Sequence, residues 1–339
     1  MRFSKAAFFV LLFLPLSLFA AKLREIAMLD LSGRPGFETL AFAKGYLVMA
    51  HDGAAKVDIF DPAKRRFVAE ISGIVSPRGV AVDDANNRVY IADAGTNSIE
   101  VINSTNWQVE ERIALSRAPE NLLLLPGTTN LVATNPYARS LTLVSHQINR
   151  EMQIIDVSGD PDLMVYDPLR NAIFVTLEDQ NMVVAYPASL ERDAKPIHTM
   201  KLKASQPTGI ILVSTSRTLF VAVRFAVLAL DADSGAELSR IPVAAGTDRL
   251  WLDSAGNVLY AASSDGTVTV MRVKGRQLQY DSELKTDVKG HSLAFDSERK
   301  LIYVPGGREG KSKMVILKQF GALPMVSEEV TTAAVASSH

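Results

Sequence analysis

One apolar strand pattern recurs seven times along this chain: Val48-Met49-Ala50, Tyr90-Ile91-Ala92, Val132-Ala133-Thr134, Phe174-Val175-Thr176, Phe220-Val221-Ala222, Tyr260-Ala261-Ala262 and Tyr303-Val304-Pro305. Successive copies are 42, 42, 42, 46, 40 and 43 residues apart. No copy is long enough to bury an apolar face alone, so the copies must stack on one another. A period in this range, filled with short β-rich runs, predicts a propeller of four-stranded blades.

The spacing inside each copy is equally regular. Val80, Leu122, Met164, Ile210, Leu250 and Leu293 open a first strand, each nine residues before its second-strand counterpart; Leu40 to Leu47 gives seven. Polar turns such as Asp83-Asp84-Ala85-Asn86-Asn87 join the two strands, and their Asx side chains can bond the local backbone. Third strands such as Ile99-Glu100-Val101-Ile102 and Val227-Leu228-Ala229-Leu230 are β-branched and apolar, as sheets buried on both faces require. A fourth strand ends each copy except the last, which stops near Leu317. Arg24-Glu25-Ile26-Ala27-Met28-Leu29-Asp30-Leu31 reads as a fourth strand with no copy of its own. The expectation is therefore an all-β, seven-bladed β-propeller of four-stranded antiparallel blades, closed by an N-terminal strand completing the last blade, which removes an open sheet edge.

Pro77-Arg78-Gly79-Val80-Ala81-Val82, followed by Val89-Tyr90-Ile91-Ala92-Asp93 and Asn97-Ser98-Ile99-Glu100-Val101-Ile102, resembles the YVTN-repeat (YncE-like) propellers and, less closely, NHL-repeat propellers. The resemblance runs from Lys22 to Gln319. It implies a fold and no ligand, because such propellers include binding proteins, scaffolds and enzymes. Pro119-Glu120-Asn121 and Pro161-Asp162-Leu163 depart from it, lacking the glycine of the repeat.

Three segments follow: a signal peptide over 1–21, the propeller over 22–319, and a disordered tail over 320–339. Met1-Arg2-Phe3-Ser4-Lys5 is a basic start, and the apolar run from Ala6 to Ala21 is short for a membrane span. A periplasmic or secreted protein, with no membrane span in the mature chain, is expected. The chain has 36 Lys and Arg against 37 Asp and Glu, which argues against nucleic acid as a partner. It has no cysteine, so disulfides, thiolate metal ligands and c-type haem attachment are excluded.

In a propeller, the loop entering the first strand and the turn joining the second to the third lie on one face, around the mouth of the channel. The register superposes Glu38, Arg78, Glu120, Asp162, Thr208, Asp248 and His291 just before the first strands. Four of these are acidic. The next positions include Asn121, Arg249 and Ser292, and the facing turns offer His51, Tyr137, Glu178 and Arg224. Glu38, Arg78, Glu120, Asp162, Asp248, Arg249 and His291 are the candidate ligand-binding residues. Blades one and seven are ring neighbours, so His51, Glu38 and His291 form a candidate metal trio with ligand types suited to a divalent cation. Otherwise no cofactor is expected, and the carboxylates are read as paired with arginine.

The reading placed first is a non-enzymatic propeller binding a small molecule, peptide or partner protein at the mouth. A divalent-metal hydrolase is the second. It is based on a resemblance to lactonase-like propellers, which would use Glu38, Asn121 and Asp248. A redox-associated subunit resembling amine dehydrogenase propellers is the third; only Trp107 and Trp251 are available to such a site. No Gly-x-Ser-x-Gly elbow is present, so a serine hydrolase of that pattern is unsupported.

Overall fold

The computed structural model describes residues 22–320. The expected leader, and all of the expected tail except Phe320, lie outside the described residues. Seven four-stranded antiparallel sheets form the blades. In blades 1 to 6 the strands pair in sequence order, starting with Leu40–Ala43, Tyr46–His51, Lys56–Asp61 and Arg66–Ser72 in blade 1. Blade 7 takes Ala294–Asp296, Leu301–Arg308 and Lys311–Phe320 from the end of the chain and Lys22–Asp30 from its beginning. Lys22 pairs with Phe320 and Asp30 with Lys313, with one irregularity between Glu25 and Ala27. The Leu31 N–H extends the pairing to the Ser312 carbonyl at 3.1 Å.

Each strand-two residue faces one of two neighbouring blades, because side chains alternate along a strand. Tyr303 packs toward blade 1 with Leu47 and Phe60, while Ile302 and Val304 pack toward blade 6 with Tyr260. Repeated around the ring, this gives seven apolar clusters, one per interface between blades. Tyr90, Phe220, Tyr260 and Tyr303 occupy equivalent positions and are fully buried. Burying each side chain of this size contributes about 1.5–3 kcal/mol. The closing strand serves two interfaces: Leu23 joins the cluster shared with blade 6, and Ile26, Leu29 and Leu31 join that shared with blade 1.

The Asx turns form as expected. Asp83 Oδ1 accepts from the Asn86 N–H at 3.2 Å, and Asp253 Oδ1 from Gly256 at 3.1 Å. Asn87, Asn171 and Asn257 then take positive φ of 55°, 47° and 51° before the second strand. The short spacing in blade 1 has a local cause. Ala43 pairs directly with Tyr46 across Lys44-Gly45, whose φ angles of 51° and 81° make a two-residue hairpin turn. Glycine just after the ring position reflects close packing between blades: a Cβ at Gly79 would stand 2.8 Å from the Asn121 Cα, and one at Gly209 would stand 2.4 Å from the Asp248 carbonyl oxygen.

Removing residues Lys22 to Ser32 should abolish the single cooperative melt, because it opens blade 7 and strips apolar groups from two interfaces. Circular dichroism melts and elution volume check this; an intact, cooperative truncated protein would refute closure by the N-terminal strand.

Candidate functional site

The ring positions sit where the first strands are irregular. In blades 2, 4 and 6 the pairing skips from Pro77 to Val80, from Pro161 to Met164 and from Thr247 to Leu250. Arg78, Asp162 and Asp248 occupy the skipped residues. Such irregularities take a side chain out of the alternating pattern and re-aim it, here toward the channel. Arg78, Glu120, Asp162, Thr208, Asp248 and His291, from six different blades, line one cavity of about 870 Å³. Glu38, from the remaining blade, reaches the same network by accepting from Arg78 Nη1 at 2.8 Å.

The network crosses the channel. Arg249 Nη2 of blade 6 donates to Asn121 Oδ1 of blade 3 at 2.7 Å, and Asn121 Nδ2 donates to Asp162 Oδ1 at 2.9 Å. On the other side Asp248 Oδ2 lies 3.1 Å from His291 Nδ1 and 3.8 Å from Arg249 Nε. These contacts tie blades 3, 4, 6 and 7 together across the channel. Asn121, which stands where the repeat has glycine, is their keystone and is 3% exposed.

Arg78 gathers a second group: Glu38 at 2.8 Å, with Glu120 and Asp52 each at 3.6 Å. Arg139, on the turn above blade 3, binds Asp160 at 2.9 Å and Asp179 at 2.8 Å. Charge is thus sorted around the rim. Burial pushes the Asp162 carboxyl well above the ordinary carboxylate range, and the Asp248 charge adds to this. Burial also raises Glu120, against the pull of Arg78, and raises Glu178, which further feels Asp248, Asp160 and Asp179. Burial works against ionised Asp248 too, but the His291 hydrogen bond and the Arg249 charge hold it below its usual value. His291 rises chiefly through that same hydrogen bond. Asp162 and Asp248, held at one mouth, are thus pushed in opposite directions.

His51 does not join this group. It is fully buried, with Nδ1 2.7 Å from Asp58 Oδ2 and Nε2 2.8 Å from the Arg34 carbonyl, and its ring stacks on Phe37 at 3.9 Å. Nδ1 is held within blade 1, and Nε2 fastens the segment that joins the closing strand to blade 1. The trio of His51, Glu38 and His291 is accordingly not assembled, and among the described residues no group of three His, Cys, Asp or Glu is placed to hold a metal. Asp160 and Gln206 also line the cavity. They lie two residues before ring positions, in the entering loops, where no periodicity marks them. Trp107 and Trp251 lie near the hairpin end opposite the mouth, against Tyr46 and Phe42.

A family model described as the NHL repeat matches residues 75–102, which span the loop into blade 2 and its first three strands. The chain matches no curated protein. Among solved structures 1659 chains match, too many for the fold to select a function. One of them, hydrazine synthase from Kuenenia stuttgartiensis, aligns with a TM-score of 0.71 at 12% identity, covering 84% of this chain and 96% of that one. At that identity the likeness is one of fold. The chain is an NHL-like seven-bladed propeller, and no helix among the described residues is long and apolar enough to cross a membrane.

Arg78→Ala should destabilise the protein by about 1–3 kcal/mol, because it strips three carboxylates of one partner; Glu120→Gln should cost less. Denaturant titrations compare them. Asp162→Asn should change the pH profile. With its folded pKa raised, the native state keeps a proton that the unfolded state has released, so stability falls as pH climbs from the ordinary value toward the raised one. The variant should be the more stable protein at neutral pH, and the gap should close as pH falls toward 4. A gap that widens on acidification would contradict this.

Proposed function

We propose that this propeller is a non-enzymatic binding module whose channel mouth takes a small molecule or an inserted peptide side chain. One observation carries the reading: ring residues from six blades line one cavity of about 870 Å³. That volume suits a drug-sized ligand, and a few fixed polar groups on a rigid scaffold are what orientation requires. Tyr137, 92% exposed on the short turn Pro136–Ala138, supplies an aromatic side chain at the rim. Such a group adds contact area with little to reorganise.

The metal-hydrolase reading has less support. Glu38 is bound to Arg78, Asn121 to Asp162 and Arg249, and Asp248 to His291, so each is already committed to a protein partner. The basic start and apolar run of residues 1–21 support export, so the binding module is proposed to work in the periplasm or outside the cell.

A thermal-shift screen of the full chain against metabolites and short peptides tests the binding reading. A ligand at one hundred times its Kd should stabilise the fold by about 2.7 kcal/mol. The shift should shrink in Tyr137→Ala, which removes only an exposed side chain, and persist in Glu111→Gln on an outer strand. Hits indifferent to Tyr137→Ala, or hits that are turned over, would refute it. For the export proposal, N-terminal sequencing of exported protein should find Ala21 or Lys22, and finding Met1 would refute processing.

A further inference from the structure

We propose that the mouth recognises a protonated organic amine, its ammonium held by Asp162 and Glu178 and its apolar body lying against Tyr137. The proposal rests on the reading of the mouth as a binding site and names the ligand class.

The argument begins with which acids lack a direct ion pair. Glu38, Asp52 and Glu120 share Arg78; Asp160 and Asp179 share Arg139; Asp248 has His291 and Arg249. Asp162 bonds only the Asn121 amide and feels the Arg249 charge without a direct ion pair, and Glu178 bonds only the Gln206 amide at 3.3 Å. Both acids stand at the top of blade 4, where the Glu178 N–H bonds the Asp160 carbonyl at 3.0 Å, and both line the cavity. Two carboxyls that line one cavity without a direct ion pair favour a cation there. Burial and neighbouring acids raise both groups, and an arriving ammonium would favour their ionised forms.

Two further observations point to an organic guest with hydrogen-bonding ends. The ring positions that carry Asn121 and Arg249 into the channel also carry Thr39 and Ser292. Thr39 Oγ1 and Ser292 Oγ are buried without a hydrogen-bond partner, and Ser292 is 1% exposed. Buried groups of this kind are ordinarily satisfied, so the throat is built for polar contents. Tyr137 meanwhile offers a ring face to solvent at the rim, and aromatic faces attract alkylammonium groups. Arg224 lines the same cavity with its guanidinium stacked on Phe225 at 5.4 Å. An anionic probe therefore belongs in the test.

Isothermal titration of the full chain with phenethylamine, phenethyl alcohol and hydrocinnamate, at neutral pH and low salt, separates the classes. Phenethylamine should bind more tightly than the other two. Asp162→Asn and Glu178→Gln should each weaken it roughly tenfold and leave the alcohol unchanged. On the unsubstituted protein, acidification should weaken the amine while the alcohol stays constant, because protonated carboxyls no longer attract it; this arm holds even if a variant fails to fold. If the alcohol or the carboxylate binds as tightly as the amine, or the amine ignores both substitutions, the amine assignment is overturned while the mouth remains a binding site. If none of the three binds, the assignment is overturned as well, and the wider reading is judged by the library screen.

Discussion

Everything at the mouth depends on one pairing, that of Lys22–Asp30 with Lys311–Phe320. Each blade buries both of its faces against neighbours, so an open ring would leave two apolar faces and a strand edge in water at once. Joining the two ends of the described chain in one sheet makes the seven interfaces interdependent, and loop-closure entropy grows only slowly with the length of chain enclosed. A rigid ring then fixes the distances across the channel. Arg249 and Asn121 are 128 residues apart, yet they meet at 2.7 Å because blades 3 and 6 cannot drift.

Most of this architecture could be read from the sequence. A two-residue alternation inside a 42-residue period specifies which side chains face which neighbour, and the unmatched strand before blade 1 could pair only with the unfinished blade 7. The ring of polar positions was legible for the same reason, since register alone superposes them. The partners were not. Nothing in the spacing says that Arg249 leans toward Asn121 and stands 3.8 Å from Asp248, because that depends on which rotamer best satisfies a buried guanidinium. His51 shows the limit most clearly: its residue type suits a metal, but Asp58 across the hairpin and the Arg34 carbonyl claim both nitrogens first.

The mouth is also where the fold's own preferences are set aside. Gly79 and Gly209 keep the close approach between inner strands that the repeat favours. At the equivalent place blade 3 has Asn121 and blade 6 has Arg249. These substitutions put hydrogen-bonding groups into the throat, where glycine would leave only backbone. They also concentrate polar groups in a place where burial is costly unless each is satisfied. A ring of seven interfaces has stability to spare for such departures, whereas a single small core would not.

The balance of charge follows from the same geometry. Acids drawn from several blades are held around one channel, and only some can have an arginine, because each guanidinium has a limited reach. Arg78 covers three acids on the blade 1 to blade 3 side, and Arg139 covers two above blade 4. Asp162 and Glu178 are left without a direct ion pair. Both line one cavity, and repulsion between them would be relieved either by a proton or by a cation. A proton leaves the cavity as it was, but a cation with an apolar body also covers Tyr137 and fills the cavity. On the amine proposal, occupancy by such a ligand would satisfy more of these groups together than protonation would.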